Sequence, residues 1–292
     1  MAEKLTRWQR FKRFLKRNMT PTWAKHFSYQ VASFIISVAL IVGVGNYAIT
    51  KSYEERNLSF MDGFTITAHT GAFSTADNSL DSVKAAIKNN VQVFEIDIRL
   101  RPSGTVVMGH DIIVTNNDGV QLTEAFELLK PTNIRLNLDI KETKALKPLY
   151  DLIIQYSMTD RVFLTGIEQS QVDAVKANCP NIDYYINCTP SRIRIFDDDY
   201  QKKLIAMLQK TGAIGVNCKY TYASRTLSNL LHKNGYKLSV WTVDTERQIK
   251  RLLALRYGGE DHLRLQPRRV RREGGSDERE DHGAVCRQRA DP

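Results

Sequence analysis

Two hydrophobic rhythms divide the chain. From Val31 to Ile49 the run VASFIISVALIVGVGNYAI carries no charge. As a helix it would span roughly 28 Å, close to the hydrocarbon thickness of a bilayer. From Phe64 onward short apolar runs alternate with segments of helical period. FTITAH, VQVFEIDIRL, IRLNLDIK, RVFLTGI, NIDYYINC, IGVNCKY and KLSVWTVD read as strands, with TVVMGHD as a short extended piece. Between them SLDSVKAAIKNN, LTEAFELLK, ALKPLYDLIIQYS, QSQVDAVKAN, DYQKKLIAMLQKTG and ASRTLSNLLHKNG read as helices, and ERQIKRLLALRYG as a last one. Gly212, Gly235 and Gly258 sit just past helical runs, where stop residues belong.

Strands alternating with helices over short links predict an α/β fold with a parallel sheet covered by helices. About seven main strands approach the eight of a (β/α)8 TIM barrel, with a doubly wound open sheet as the alternative. The barrel is preferred because polar residues gather at the C-terminal ends of several strands, the active-site face of that fold.

Charge orients the first rhythm. Lys4, Arg7, Arg10, Lys12, Arg13, Lys16, Arg17 and Lys25 precede the apolar run against the single acid Glu3, while Lys51 and Arg56 after it are balanced by Glu54 and Glu55. Positive residues stay inside, so the reading is a transmembrane anchor with a cytoplasmic N-terminus and everything after Thr50 outside the cell membrane. A cleaved signal peptide is the rival, although Gly43–Ala48 offers a poor cleavage site. The predicted organisation is a basic segment 1–30, a transmembrane helix 31–49, a linker 50–63, a barrel 64–256 and a tail 257–292. The net charge of +10 sits mainly at the two ends, without the basic stripe a nucleic-acid partner needs. Cys179, Cys188, Cys218 and Cys286 lack metal-ligand spacing. They read as core thiols, with a bond between two of the first three open in an oxidising compartment.

The candidate chemistry lies early in the barrel. His69 ends the first strand, Glu95 and Asp97 share one side of the second, and His110 and Asp111 follow the short extended piece. Asp139 and Lys141 share one side of the next strand. Buried carboxylates are costly unless paired or bound to a cation, so these three acids predict an oxygen-rich site for a divalent metal, Mg2+ or Ca2+. Two histidines beside it could act as general base and general acid in phosphoryl transfer, with Lys141 neutralising a phosphate oxygen or positioning a carboxylate.

AHTG, FEIDIRL, the GHD of VVMGHD, and NLDIK occur in the order and spacing of the glycerophosphodiester phosphodiesterases, and the chain resembles that family from about Phe64 to Asp244. The resemblance implies a (β/α)8 barrel that uses a divalent metal to hydrolyse glycerophosphodiesters to an alcohol and glycerol phosphate. It implies His69 and His110 as the catalytic pair, Glu95, Asp97 and Asp139 as metal ligands, and Lys141 and Trp241 as substrate-binding residues. The implied substrates are lipid-derived or envelope glycerol phosphates at the outer membrane face.

There are departures. The family's arginine after the first histidine is Thr70 here, its Glu-Asn-Thr is Asp77-Asn78-Ser79, and its third metal glutamate is Asp139. Loss of a guanidinium removes a bidentate phosphate donor, so an impaired, membrane-tethered barrel serving as a binding or scaffold protein is the alternative function. After Tyr257 the chain turns arginine-rich, with every lysine at or before Lys250. This composition predicts a disordered tail and a last barrel strand missing or altered. A shift of reading frame near Gly258 or Gly259 would account for it, and a genuine basic tail is the other explanation.

Overall fold

The computed structural model describes residues 6–18, 20–54, 65–243, 245, 248–249, 251–252 and 263–266. The chain divides into two compact units, Met1–Arg56 and Asn57–Pro292.

The first unit consists of helices α1 (Arg7–Asn18) and α2 (Pro21–Glu54). α2 outruns the predicted 31–49 span at both ends, so the predicted linker begins as helix; its remainder, 55–63, lies outside the described residues. From Pro21 to Ser52 this helix is long and apolar enough to cross a membrane, and its apolar stretch is unburied by protein. In its first turns Trp23 and Phe27 stack with centroids 5.0 Å apart.

The second unit opens with β1 (Thr65–Ala68) and α3 (Leu80–Lys88), followed by β2 (Val93–Leu100) and a small antiparallel extension, β3 (Val106–Met108) and β4 (Val120–Gln121). Then come α4 (Leu122–Leu129), β5 (Arg135–Ile140), α5 (Leu146–Gln155), β6 (Val162–Ile167) and α6 (Val172–Asn178). The series continues with β7 (Tyr184–Asn187), α7 (Asp198–Thr211), β8 (Gly215–Lys219), α8 (Arg225–Lys233), β9 (Lys237–Trp241) and β10 (Leu263–Gln266). Side chains start the helices: Ser79, Asp197 and Ser224 each accept a backbone N–H of the first turn of α3, α7 and α8. Gly212, at φ 76°, ends α7.

The sheet runs β1-β10-β9-β8-β7-β6-β5-β2, and β1 pairs again with β2, closing a parallel barrel with β3 and β4 appended to β2. This is a TIM-type barrel. Closure corrects one expectation. The tail was predicted to supply no core strand, yet the backbone of Leu263–Gln266 runs parallel to β9 on one side and β1 on the other. The altered last strand is present. Backbone pairing does not depend on residue type, and without these four residues two ladder edges would stand open. The rest of 257–292 lies outside the described residues, as does Cys286.

Alternation sorts side chains between two environments. Outward residues such as Ile96, Ile98, Leu136, Leu138, Val216 and Val240 are buried under the helices and form the main core. Each fully buried aliphatic of this kind contributes about 1.5–3 kcal/mol. Inside the barrel Val93, Phe163 and Tyr185 form a separate apolar plug, with the two rings edge to face at 5.7 Å. In register terms Val93 lies two residues before Glu95, while Phe163 is level with Asn137 and Glu95 and lies below Asp97 and Asp139. Cys179, Cys188 and Cys218 are buried free thiols, so the bond left open by composition is not formed among them. Burial pushes the Cys218 thiol up to about 12.

Candidate active site

Strand register assembles the acids. Asp97 on β2 lies beside Asp139 on β5, and Asp139 beside Thr165 on β6; Glu95 is two residues before Asp97 and faces the same way. Ligand oxygens of Glu95, Asp97 and Asp139 come within 4.8 Å of one another. Oxygens on opposite sides of an ion bound at about 2.4 Å are about 4.8 Å apart, so the spacing fits one hard divalent cation. Glu95 and Asp97 are each 2% exposed.

Electrostatics ask for more positive charge than the protein supplies. Burial, then the charges of Asp97 and Asp139, lift the Glu95 carboxyl well above the usual carboxylate range. Burial would also raise Asp97, but the Lys141 ammonium and the Asn78 amide outweigh it and hold that carboxyl below its ordinary value. Lys141 Nζ bridges Asp139 Oδ2 at 2.6 Å and Asp97 Oδ1 at 3.0 Å. Burial disfavours that ammonium, and the two aspartates more than offset the effect. One ammonium thus faces two buried carboxyls and a third, Asp139, that is partly exposed, a donor set that a divalent cation would complete.

A second layer of bonds aims these groups. Asn78 donates from Nδ2 to Asp97 Oδ2 at 2.8 Å and accepts the Asp97 backbone N–H through Oδ1. Thr70 donates its backbone N–H to Glu95 Oε2 at 3.1 Å, while its hydroxyl accepts the N–H of Asn78. The threonine at the family's arginine position is buried, 1% exposed, and turned toward its own loop. Thr165 Oγ1 lies 2.8 Å from both Asp139 Oδ1 and Asn137 Oδ1, with only one proton to give, while Asn137 Nδ2 has no hydrogen-bond partner. Turning the Asn137 amide over resolves both facts: its NH2 donates to Thr165, and Thr165 donates to Asp139. Gly166 beside them has φ 75°, and a Cβ there would lie 2.5 Å from Ile140 O and 2.7 Å from Asp139 Oδ1. Sequence reading missed Thr165, Asn137 and the roles of Thr70 and Asn78. The available signal was a polar residue in mid-strand, at the inward phase, level with an acid on the next strand.

The two histidines stand differently. His69 is buried; its Nδ1 lies 2.6 Å from Thr70 O, and its Nε2 lies 3.6 Å from Glu95 Oε2. A carbonyl only accepts, so Nδ1 carries the proton and Nε2 faces the acids. His110 is half-exposed, with Nδ1 3.1 Å from Asp111 Oδ1. Its segment is tied to the acid strand, since Gly109 donates its N–H to Asp97 O and Arg99 donates twice to His110 O. Trp241 ends β9 level with Lys219 of β8, and its buried Nε1 has no hydrogen-bond partner. The structure therefore gathers Glu95, Asp97, Asp139, Lys141 and His69 by direct contacts. It puts His110 one residue beyond a backbone bond to Asp97, and Trp241 at the same end of a different strand.

The chain thus contains a closed parallel TIM-type barrel with a carboxylate cluster, a candidate metal centre, toward the C-terminal ends of its strands. No protein-family model matches the chain. A curated glycerophosphodiester phosphodiesterase of Caldanaerobacter subterraneus subsp. tengcongensis is 23% identical over 228 residues, 64% of this chain and 89% of that protein. Among solved structures, a phosphodiesterase of Oleispira antarctica in complex with the product sn-glycerol-3-phosphate superposes with TM-score 0.55 at 19% identity, over 69% of this chain and 92% of that one. A glycerophosphodiester phosphodiesterase of Thermotoga maritima gives 0.53 at 17%, over 69% and 94%. These structures share the fold. The chain is thus similar in sequence to a curated glycerophosphodiester phosphodiesterase and in fold to solved phosphodiesterases.

Proposed function

We propose that the protein hydrolyses glycerophosphodiesters to an alcohol and glycerol phosphate with a divalent metal, Mg2+ or Ca2+, held by Glu95, Asp97 and Asp139. The observation that carries this reading is the convergence of three carboxyls on one buried point with His69 beside them. The cation would stabilise charge developing on the phosphate. Lys141 holds the Asp97 carboxyl below its ordinary pKa, pairs with Asp139, and offers an ammonium to a non-bridging oxygen. His69, with its proton fixed on Nδ1, takes the proton of the attacking hydroxyl at Nε2. His110, with Nδ1 oriented by Asp111, delivers a proton from Nε2 to the departing alcohol oxygen. Trp241 at the end of β9 supplies an apolar wall and a free indole N–H to the alcohol moiety.

In this reading α2 is an uncleaved anchor, the basic α1 stays on the cytoplasmic side, and the barrel works at the outer membrane face. Three features favour it: the unbroken apolar stretch, the basic excess on its N-terminal side, and the lack of a good cleavage site. Thr70 favours a second reading, an impaired barrel that binds without turning over, because its side chain is committed to Asn78.

Histidine variants separate the two readings. His69→Ala and His110→Ala should each lower kcat on glycerophosphoglycerol by about 10²–10⁴-fold with KM little changed. Wild-type turnover no faster than either variant would leave only the binding role.

A further inference from the structure

Seven large hydrophobic side chains stand exposed on the described part of the barrel: Ile66, Phe73, Ile112, Val114, Ile154, Ile193 and Phe196. Their placement is uneven. Phe73 lies in the β1–α3 connection, Ile112 and Val114 follow His110 in the connection after β3, and Ile193 and Phe196 lie between β7 and α7. Phe73, Ile193 and Phe196 are therefore on strand-to-helix connections, the face that carries the candidate site, and Ile112 and Val114 share the β3–β4 connection with His110. Ile112, Val114, Ile193 and Phe196 are 71–84% exposed, on two separate connections of the rim, after β3 and after β7.

The β7–α7 segment reads Arg192-Ile193-Arg194-Ile195-Phe196. Exposed Arg192 and Arg194 flank Ile193, the Arg194 guanidinium lying 5.1 Å from the Tyr200 ring centre, and Ile195 is buried and fixes the segment to the core. Asp197, which follows, is occupied in capping α7, and Asp199 pairs with Lys202. Apolar side chains flanked by arginine match the layered chemistry of a lipid surface, acyl chains below anionic phosphates. The chain also carries a helix long and apolar enough to span a bilayer. Residues 55–64, between that helix and β1, can extend about 35 Å, so a bilayer is within reach of the barrel.

We propose that this rim seats in a lipid surface, so that the substrate is a phosphodiester borne by a lipid rather than one free in solution. The inference rests on the phosphodiesterase reading above but draws on side chains that the chemistry does not use.

Full-length protein in vesicles containing phosphatidylglycerol provides the test. Ile193→Ser/Phe196→Ser should lower hydrolysis of vesicle-borne lysophosphatidylglycerol at least about tenfold, because each apolar side chain withdrawn costs an order of magnitude or more in partition. Turnover of soluble glycerophosphoglycerol should stay within about twofold, since neither side chain touches the acid cluster. Equal loss on both substrates, or loss on neither, would overturn the proposal.

A second readout is independent of catalysis. With Cys286 replaced by serine, an environment-sensitive fluorophore is attached at Ile193→Cys, at Ile112→Cys, or at Lys147→Cys on α5. Lipid-borne quenchers should reach the first two and not the third. Equal quenching at all three positions, quenching by aqueous iodide alone, or loss of the signal to self-association between barrels would refute lipid docking. No turnover of either substrate, combined with lipid quenching at 193 and 112, would leave the rim standing and reject the enzymatic reading instead.

Discussion

At the scale of single residues, a few bonds hold the acid cluster in shape. Thr165→Val removes the hydroxyl that lies on Asp139 Oδ1. Loss of such a supporting bond typically weakens metal binding 10–100-fold, so calorimetric titration with Mg2+ or Ca2+ should show about that loss, while Thr165→Ser should restore affinity. Protonation gives a second prediction. The Glu95 carboxyl has a folded pKa above its ordinary 4.5, so the stability it contributes is complete below that value and is lost as pH rises through the folded pKa. Asp97, held below its ordinary 3.8 by Lys141 and Asn78, acts oppositely: its contribution is present above 3.8 and is lost as pH falls. In chelator, melting temperature should therefore decline as pH rises above 4.5, and a divalent cation should reverse the decline. A cation effect of the same size at pH 4.5 and pH 8 would contradict the Glu95 assignment.

At the scale of elements, register does most of the work. The inward phase of β2, β5 and β6 sets Asp97, Asp139 and Thr165 in a row. The acids were legible in the sequence because period-two alternation marked Glu95 with Asp97 and Asp139 with Lys141. Thr165 was not, because a lone threonine in a strand is unremarkable until its neighbour strand is known. Thr70 read as a missing arginine, whereas its backbone N–H serves Glu95 and its hydroxyl holds the Asn78 loop, contacts between residues eight or more apart that local pattern does not encode. The tail misled for a related reason. Its composition argued against a core strand, yet Leu263–Gln266 closes the ladder through backbone pairing with β9 and β1. Leu265→Pro removes a ladder donor from a strand paired on both sides and should lower the melting temperature of the protein by several degrees. An unchanged melting curve would show that the closing strand adds nothing to stability.

At the scale of the whole molecule, a barrel of ordinary construction shares its chain with an apolar helix, and both halves were visible as separate hydrophobic rhythms before any strand was paired. An uncleaved anchor predicts that the protein stays in the membrane pellet after alkaline extraction and keeps its N-terminal residues by mass spectrometry. A shorter, extractable species would identify α2 as a cleaved signal. The claim on which the functional reading stands is narrower: the carboxyls of Glu95, Asp97 and Asp139 would hold a divalent cation for phosphodiester hydrolysis. Its most direct measurement is turnover of glycerophosphodiesters by chelator-stripped protein, with Mg2+ or Ca2+ restored, for the wild type and for Glu95→Gln. The account predicts activity that vanishes with chelator, returns with the cation, and does not return in the variant. Hydrolysis that persists in chelator, or a Glu95→Gln protein as active as the wild type, would contradict it.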